Sequence, residues 1–307
     1  MMKAPDMEAP ALPEDRLKQI QVYISRMPSL STTVTKVLEV CNNPDTSPDE
    51  LNRLISYDPV LAGQVLRLIN SAYYSLPNRV TSLTRAIIML GLNTVKNLVL
   101  ATSVLASFKS TSAASRFSMD DYWAHCLCVG VTTKTIAKMM RIPVIAQEEY
   151  FVAGLLHDLG KLPMIACFAD LYHQAMASSE DDEIPLYQAE SRFIGFDHCQ
   201  VGWLIGAKWK LSNDMKHAIM NHHRPLSEGC EPSDLLYAMS LGNQIAHHLQ
   251  IGASGDGVGD EMMIQDLSGR ISLKTEDILQ KRPQIEDEVE RARVFLKNSR
   301  KEQTNAH

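Results

Sequence analysis

The chain has 307 residues, 45% of them hydrophobic and 6% aromatic, which supplies a sizeable core and excludes a disordered protein. A formal net charge of −6 gives no general attraction to nucleic acid or to an anionic membrane surface. The longest apolar stretches, such as LVLATSVLASF, are broken by Ser and Thr and fall short of the roughly 20 residues that a spanning helix needs.

Leu, Ile, Met and Ala abound and few runs alternate with period two, so the composition predicts helices. Residues 1–13 are Pro-rich and acidic and read as a flexible tail without an apolar signal core. Leu17, Ile20 and Ile24 then recur at helical spacing, and Pro28 closes that segment. Val34, Val37, Leu38 and Cys41 form the next apolar stripe. Ser47-Pro48 with Glu50, and Asp58-Pro59, are N-cap signals for two more helices, the second burying Leu61, Val65 and Leu68. Gly91 is a natural C-cap and Asn93 a natural N-cap between TSLTRAIIMLG and NTVKNLVLATSVLASF. The expected N-terminal helical lobe spans 14–110.

A second helical lobe is expected over 111–250. It opens with Ser118 capping MDDYWAHCLCVGVTTKTIAKMM and continues through helices at 145–157, 160–178, 183–194, 197–209, 212–223 and 232–250. The stretch GASGDGVGD marks a flexible linker over 251–265, and 266–307 is expected to be a helical extension broken near Pro283. The six cysteines form no CxxC, which suits a reduced cytosol; Cys126 and Cys128, two apart on a helix, are poor co-ligands and read as core.

Chemistry concentrates in the second lobe. GLLHDLGK places His157 and Asp158 side by side, where a metal can use both only if the helix ends or bends. His125 is expected to face inward from the first helix of this lobe, His198 opens another helix, and His222-His223 close a third. Together they form an N/O-rich set for divalent ions, with Asp158 able to bridge two of them. A helix-terminal pair bonded only to backbone is the plain alternative for His157 and Asp158, and a solvated lysine is the alternative to an anion contact for Lys161. His173, His217 and His248 read as surface or satisfied core residues.

This order of residues resembles the HD superfamily of metal-dependent phosphohydrolases, and its HD-GYP branch most. The resemblance makes His125 the first His, His157-Asp158 the dipeptide, Lys161 the following Lys, His198 the mid-chain His and His222-His223 the pair. Two departures stand out: Asn243 occupies the place of the final Asp, and no Gly-Tyr-Pro follows NHHRPLSEGCEPS. A neutral amide ligates a transition metal weakly and adds no charge, though His247, one turn on, shares its helix face. In the N-terminal half, Asp58-Pro59, Asn70-Ser71, SLTRAI and Gly91-Leu92 are similar to the signature of HDOD, the HD-related output domain of bacterial signalling proteins.

The resemblance implies an all-α, two-lobe regulatory protein of the cytoplasm that acts in signal transduction by binding. Its partner would be a signalling protein or a small phosphorylated ligand, and its site would hold one or two divalent transition-metal ions, iron or manganese. Residual phosphohydrolase activity through Asp158 and Lys161 is the first alternative. A helix-turn-helix DNA reader over 84–101 is the second, with only Lys96 and Asn97 as candidate base-facing side chains; neither nucleic acid nor a membrane is an expected partner.

Overall fold

A computed structural model describes residues 14–27, 32–41, 46–71, 74, 76, 79–107, 117–257 and 259–292. The expected tail, residues 108–116 at the junction of the two expected lobes and the end of the C-terminal extension (293–307) lie outside the described residues. Helices dominate, and no strand occurs among the described residues.

The N-terminal helices follow their caps. Ser47 accepts a hydrogen bond from the Glu50 amide and Asp58 from the Leu61 amide, opening α3 (Pro48–Ser56) and α4 (Pro59–Ile69) with proline in the first turn of each. Both devices satisfy amide groups that a helix N-terminus leaves orphaned. Val34, Val37 and Leu38 of α2 (Thr32–Cys41) and Leu61, Val65 and Leu68 of α4 are buried on the stripes their spacing predicts. Asn70 then binds the Leu66 and Val80 carbonyls and accepts from the Val80 amide, fastening the end of α4 to the approach to α5 (Leu83–Leu90). Gly91 ends α5 at φ 86°, and α6 (Leu92–Ser107) begins one residue before the Asn93 expected as its cap. Asn97 is buried within this lobe, so it cannot present its amide to a base edge.

The second lobe is organised by α7 (Met119–Met139), on which α8 (Val144–Leu156) and α14 (Asp234–Leu249) pack. The α7–α8 crossing is a backbone contact: a Cβ on Gly154 would lie 2.8 Å from both Gly130 Cα and Val129 O. The helix expected over 160–178 is divided into α9 (Lys161–Cys167) and α10 (Ala169–Asp181), because Phe168 leaves helical geometry and buries its ring against Phe196. α11 (Leu186–Phe193), α12 (His198–Lys208) and α13 (Asn213–Asn221) fall within the other expected segments. Beyond α14, α15 (Glu261–Arg270) begins inside the stretch expected as a linker and runs into the expected extension; it starts at Asp260, whose carboxylate accepts from the Met262 and Met263 amides. α16 (Thr275–Leu279) and a helical run over 282–292 follow, with Pro283 in that run's first turn.

The lobes meet where α6 packs on α8 and where the Tyr74 hydroxyl donates to Glu148. α1 (Glu14–Arg26) lies across α9 and α12. Lys208 donates to the Ile24, Ser25 and Met27 carbonyls at the C-terminal end of α1, while Arg16 of α1 donates to the last carbonyls of α11. No single helix among the described residues is long and apolar enough to cross a membrane.

Candidate metal centre

All six residues read from the sequence as ligands converge. His125 projects inward from α7 with 1% of its surface exposed, and the Gly154–Gly130 crossing brings the end of α8 beside it. His157 follows the last residue of α8, and the chain bends at once so that the Asp158 carbonyl accepts from the Lys161 amide. That bend lets adjacent imidazole and carboxylate face one pocket. His198 opens α12 behind an Asp197–Gln200 capping box, and His222-His223 follow α13.

Three histidines are oriented by the same device. His157 Nδ1 lies 2.8 Å from Gly154 O, His222 Nδ1 lies 2.8 Å from Ile219 O, and His198 Nδ1 lies 2.7 Å from Glu190 Oε2. With Nδ1–H donated to these acceptors, each Nε2 is turned inward, the nitrogen through which imidazole so held ligates metals. Asp158 stands between two groups of them. Its Oδ2 faces His157 Nε2 at 3.3 Å and His125 Nε2 at 4.0 Å, whereas Oδ1 faces His198 Nε2 at 3.2 Å and His222 Nε2 at 3.6 Å. His223 Nε2 is 3.1 Å from His198 Nε2. The donor atoms of His198, Cys199, His222 and His223 lie within 4.8 Å of one another, as do those of His125, His157 and Asp158.

Asn243 sits where the family resemblance expects the final Asp, with its Oδ1 3.0 Å from His125 Nε2. His247 follows one turn later, its ring 4.5 Å from that of His125. Lys161 is not solvated: it is fully buried, with Nζ 2.8 Å from Asp158 Oδ2, 2.5 Å from Asp256 Oδ2 and 3.1 Å from Ser254 O. Of the histidines set aside, His217 bonds the Glu231 carbonyl and His248 is exposed. Cys126 and Cys128 are buried core.

Sequence reasoning missed two acidic residues. Glu190, fully buried, holds both the ring and the backbone amide of His198, but LYQAESRF reads as an ordinary solvent-facing helix turn. Asp256 lies in the glycine-rich stretch taken for a linker, and only its acidity amid glycines marked it.

The electrostatics sort the pocket. Burial opposes ionisation of Asp158, but the neighbouring His157 imidazole and the Lys161 ammonium outweigh it and hold the carboxyl well below the usual range. Burial pushes His125, His157 and His223 below the ordinary histidine value, leaving the neutral imidazole that ligates. His198 is raised well above that value because Glu190 overcomes the burial penalty. His222 is raised to about 9, where Cys199 and Asp158 do the same. A cation arriving at these two nitrogens displaces a proton from each.

The pocket fits a divalent transition metal. Buried carboxylate and imidazole atoms converge, and Nε2 of both His157 and His222 has no hydrogen-bond partner; neither has either Asp158 oxygen, beyond its ion pairs. Polar atoms so buried are costly unless satisfied.

The family model of the HDOD domain matches residues 27–225. Among solved structures, an HDOD domain protein of unknown function from Geobacter sulfurreducens superposes with a TM-score of 0.72 at 23% identity, covering 92% of this chain and 98% of that one. A candidate phosphohydrolase from Shewanella amazonensis SB2B gives 0.70 at 21% identity over 90% and 97%. A candidate signal transduction protein from Marinobacter aquaeolei VT8 gives 0.70 at 19% over 96% and 68%. An uncharacterised protein of Treponema pallidum (strain Nichols) is 22% identical over 200 residues, 65% of this chain but only 38% of that relative's length.

Proposed function

The chain belongs to the HDOD domain family, and from that premise we propose that it acts in signal transduction by binding, with a metal centre that serves structure or ligand sensing in place of turnover. Its setting is the cytosol, which suits six cysteines that are all free. A signalling protein or a small phosphorylated ligand is the expected partner.

The observation that carries this reading is the engagement of Lys161. In an active phosphohydrolase of this kind the lysine would be available to a phosphate oxygen, but here both carboxylates, Asp158 and Asp256, already hold its ammonium. An anion could take that place only by breaking a buried ion pair, which costs several kcal/mol by order of magnitude. Asn243 supports the same conclusion, since its amide engages His125 without adding charge.

The donor set and the charge balance favour one ion over two. Three carboxylates (Asp158, Glu190, Asp256) against the Lys161 ammonium leave two negative charges, the complement of a single divalent ion. The imidazoles of His198, His222 and His223 would hold it together with Asp158, whose Oδ1 faces the first two, and iron or manganese suits this mixture of imidazole and carboxylate. Such an ion supplies positive charge and open positions for an oxygen ligand. This chain's own residues orient the rings through Nδ1, keep water from the buried face and balance the charge.

Metal analysis after anaerobic purification, followed by Mn²⁺ titration and a generic phosphodiester assay, tests the reading. One bound divalent ion per chain without turnover is expected. Protein that neither retains nor takes up metal would remove the centre, and turnover abolished by His157→Ala would make the protein a hydrolase.

A further inference from the structure

We propose that Asp256 is a ligand of this centre, delivered by the segment between α14 and α15 to a pocket whose expected last carboxylate is missing at Asn243. The proposal rests on the metal-binding reading above and adds to it a ligand from outside the span matched by the family model.

The segment is fastened at both ends to helices that line the pocket. Gln250 ends α14 in the left-handed region, and the Ala253 amide donates to Asp121 O on α7 at 3.1 Å. Gly252, at φ 72°, lies so close to α7 that a Cβ would be 2.3 Å from His125 N and 2.4 Å from Asp121 O. At the far end the Asp260 amide donates to Gln244 Oε1 of α14 at 2.8 Å. The segment is therefore held against the two helices that carry His125 and Asn243.

Its carboxylate is oriented as that of Asp158 is. Lys161 Nζ stands between Asp158 Oδ2 and Asp256 Oδ2, at 2.8 and 2.5 Å, and Ser254 Oγ donates to the same Asp256 oxygen at 3.0 Å. With each Oδ2 occupied, each Oδ1 faces histidine: Asp158 Oδ1 faces His198 and His222, and Asp256 Oδ1 faces His223 Nε2 at 3.9 Å. Donors about 2.1 Å from one ion lie roughly 3.0 to 4.2 Å from one another. The 3.2, 3.6 and 3.9 Å separations fall in that window, and the donor atoms of Asp158, His223 and Asp256 form a group within 4.8 Å. One ammonium thus presents two carboxylates to one histidine cluster, so that the charge lost at Asn243 returns from another direction.

The test uses the full chain and titrates Mn²⁺ and Co²⁺ into wild type, Asp256→Asn, Asp256→Cys and Asp260→Asn, following heat and the Co²⁺ absorption bands. Asp256→Asn keeps an acceptor for Lys161 and Ser254 and is expected to bind about tenfold or more weakly. Asp256→Cys is expected to add a thiolate-to-cobalt charge-transfer band, a gained signal that holds even if the Asn variant folds poorly. Asp260→Asn, at the cap of α15, is expected to behave as wild type. Wild-type affinity within about threefold in Asp256→Asn, with no new band in Asp256→Cys, would overturn the assignment while leaving the metal centre in place. Failure of wild type itself to bind either ion would overturn the centre first and Asp256 with it.

Discussion

His125 Nε2 lies 3.0 Å from Asn243 Oδ1, so the position where the family resemblance expects a carboxylate holds an amide already bonded to a candidate ligand. Both residues are buried, and the Asn243 Nδ2 has no partner. Asn243→Asp replaces that amide with a charge facing the histidines. The substitution is expected to tighten Mn²⁺ binding about tenfold, or ~1.4 kcal/mol, and to lower the melting temperature of the metal-free protein, because the new carboxylate has no cation there. Calorimetric titration and thermal melts with and without Mn²⁺ read both effects; unchanged affinity would show that a charge at position 243 does not act on the ion.

Lys161 is the charge on which the metal-free pocket depends. Lys161→Met leaves Asp158 and Asp256 buried without their ammonium, and breaking such a buried arrangement costs about 3–5 kcal/mol. The exposed pair Lys210–Glu39, 2.8 Å apart, provides the comparison: Lys210→Ala should change stability by less than about 1 kcal/mol. Urea unfolding of the two variants is expected to separate them clearly. Saturating Mn²⁺ should recover part of the Lys161→Met loss, since a bound cation takes over the neutralisation.

Much of the fold was legible because its signals are local. Ser47, Asp58 and Ser118 each cap the helix they precede, and the apolar stripes of α2 and α4 are buried as their spacing predicts. The break at Phe168 was not legible: ADLYHQAMASSE continues a helical pattern, and the turn there is set by packing of a ring against Phe196, a residue far along the chain. The candidate ligands were legible from their order in the sequence, since His157-Asp158 and His222-His223 mark helix ends. Glu190 and Asp256 were not, because a glutamate in a polar helix turn and an aspartate among glycines look solvated until Lys161 and His198 are seen to need them. The start of α15 was not legible for a related reason, its Asp260 cap being part of the same glycine-rich stretch.

The packing of α1 on α9 has its own reporter. Burial pushes the Cys167 thiol up to about 11, and Cys167 lies beside α1, where Gln19 Nε2 donates to its carbonyl at 3.4 Å. A raised thiol pKa means little thiolate near neutrality and hence slow alkylation, with the rate climbing as pH approaches that value. Alkylation of Cys167 at pH 8 is therefore expected to be at least about tenfold slower than that of an unstructured cysteine. Deleting residues 1–26 should remove most of the difference. Mass spectrometry of iodoacetamide-treated protein reads the site directly, and fast labelling of the intact chain would contradict the docking of α1.

The α7–α8 crossing sets the distance between His125 and His157, whose ring centroids are 5.4 Å apart. A Cβ at Gly154 would meet Gly130 Cα and Val129 O at 2.8 Å and Gly130 N at 2.9 Å, all backbone atoms that cannot rotate aside. Gly154→Ala must therefore separate the helices, and overpacking of this kind costs about 1–3 kcal/mol. The same separation moves His157 and its neighbour Asp158, just past the end of α8, and loosens the bond from His157 Nδ1 to the Gly154 carbonyl that orients the ring. Gly63, where a Cβ would meet nothing within 4 Å, is the matched control; Gly63→Ala in α4 is expected to be neutral or to stabilise by up to about 1 kcal/mol. Gly154→Ala should thus lower both the melting temperature and the Mn²⁺ affinity, while Gly63→Ala lowers neither. If Gly154→Ala lowered stability but left affinity at the wild-type value, the α7–α8 crossing would have no part in positioning Asp158 for the ion.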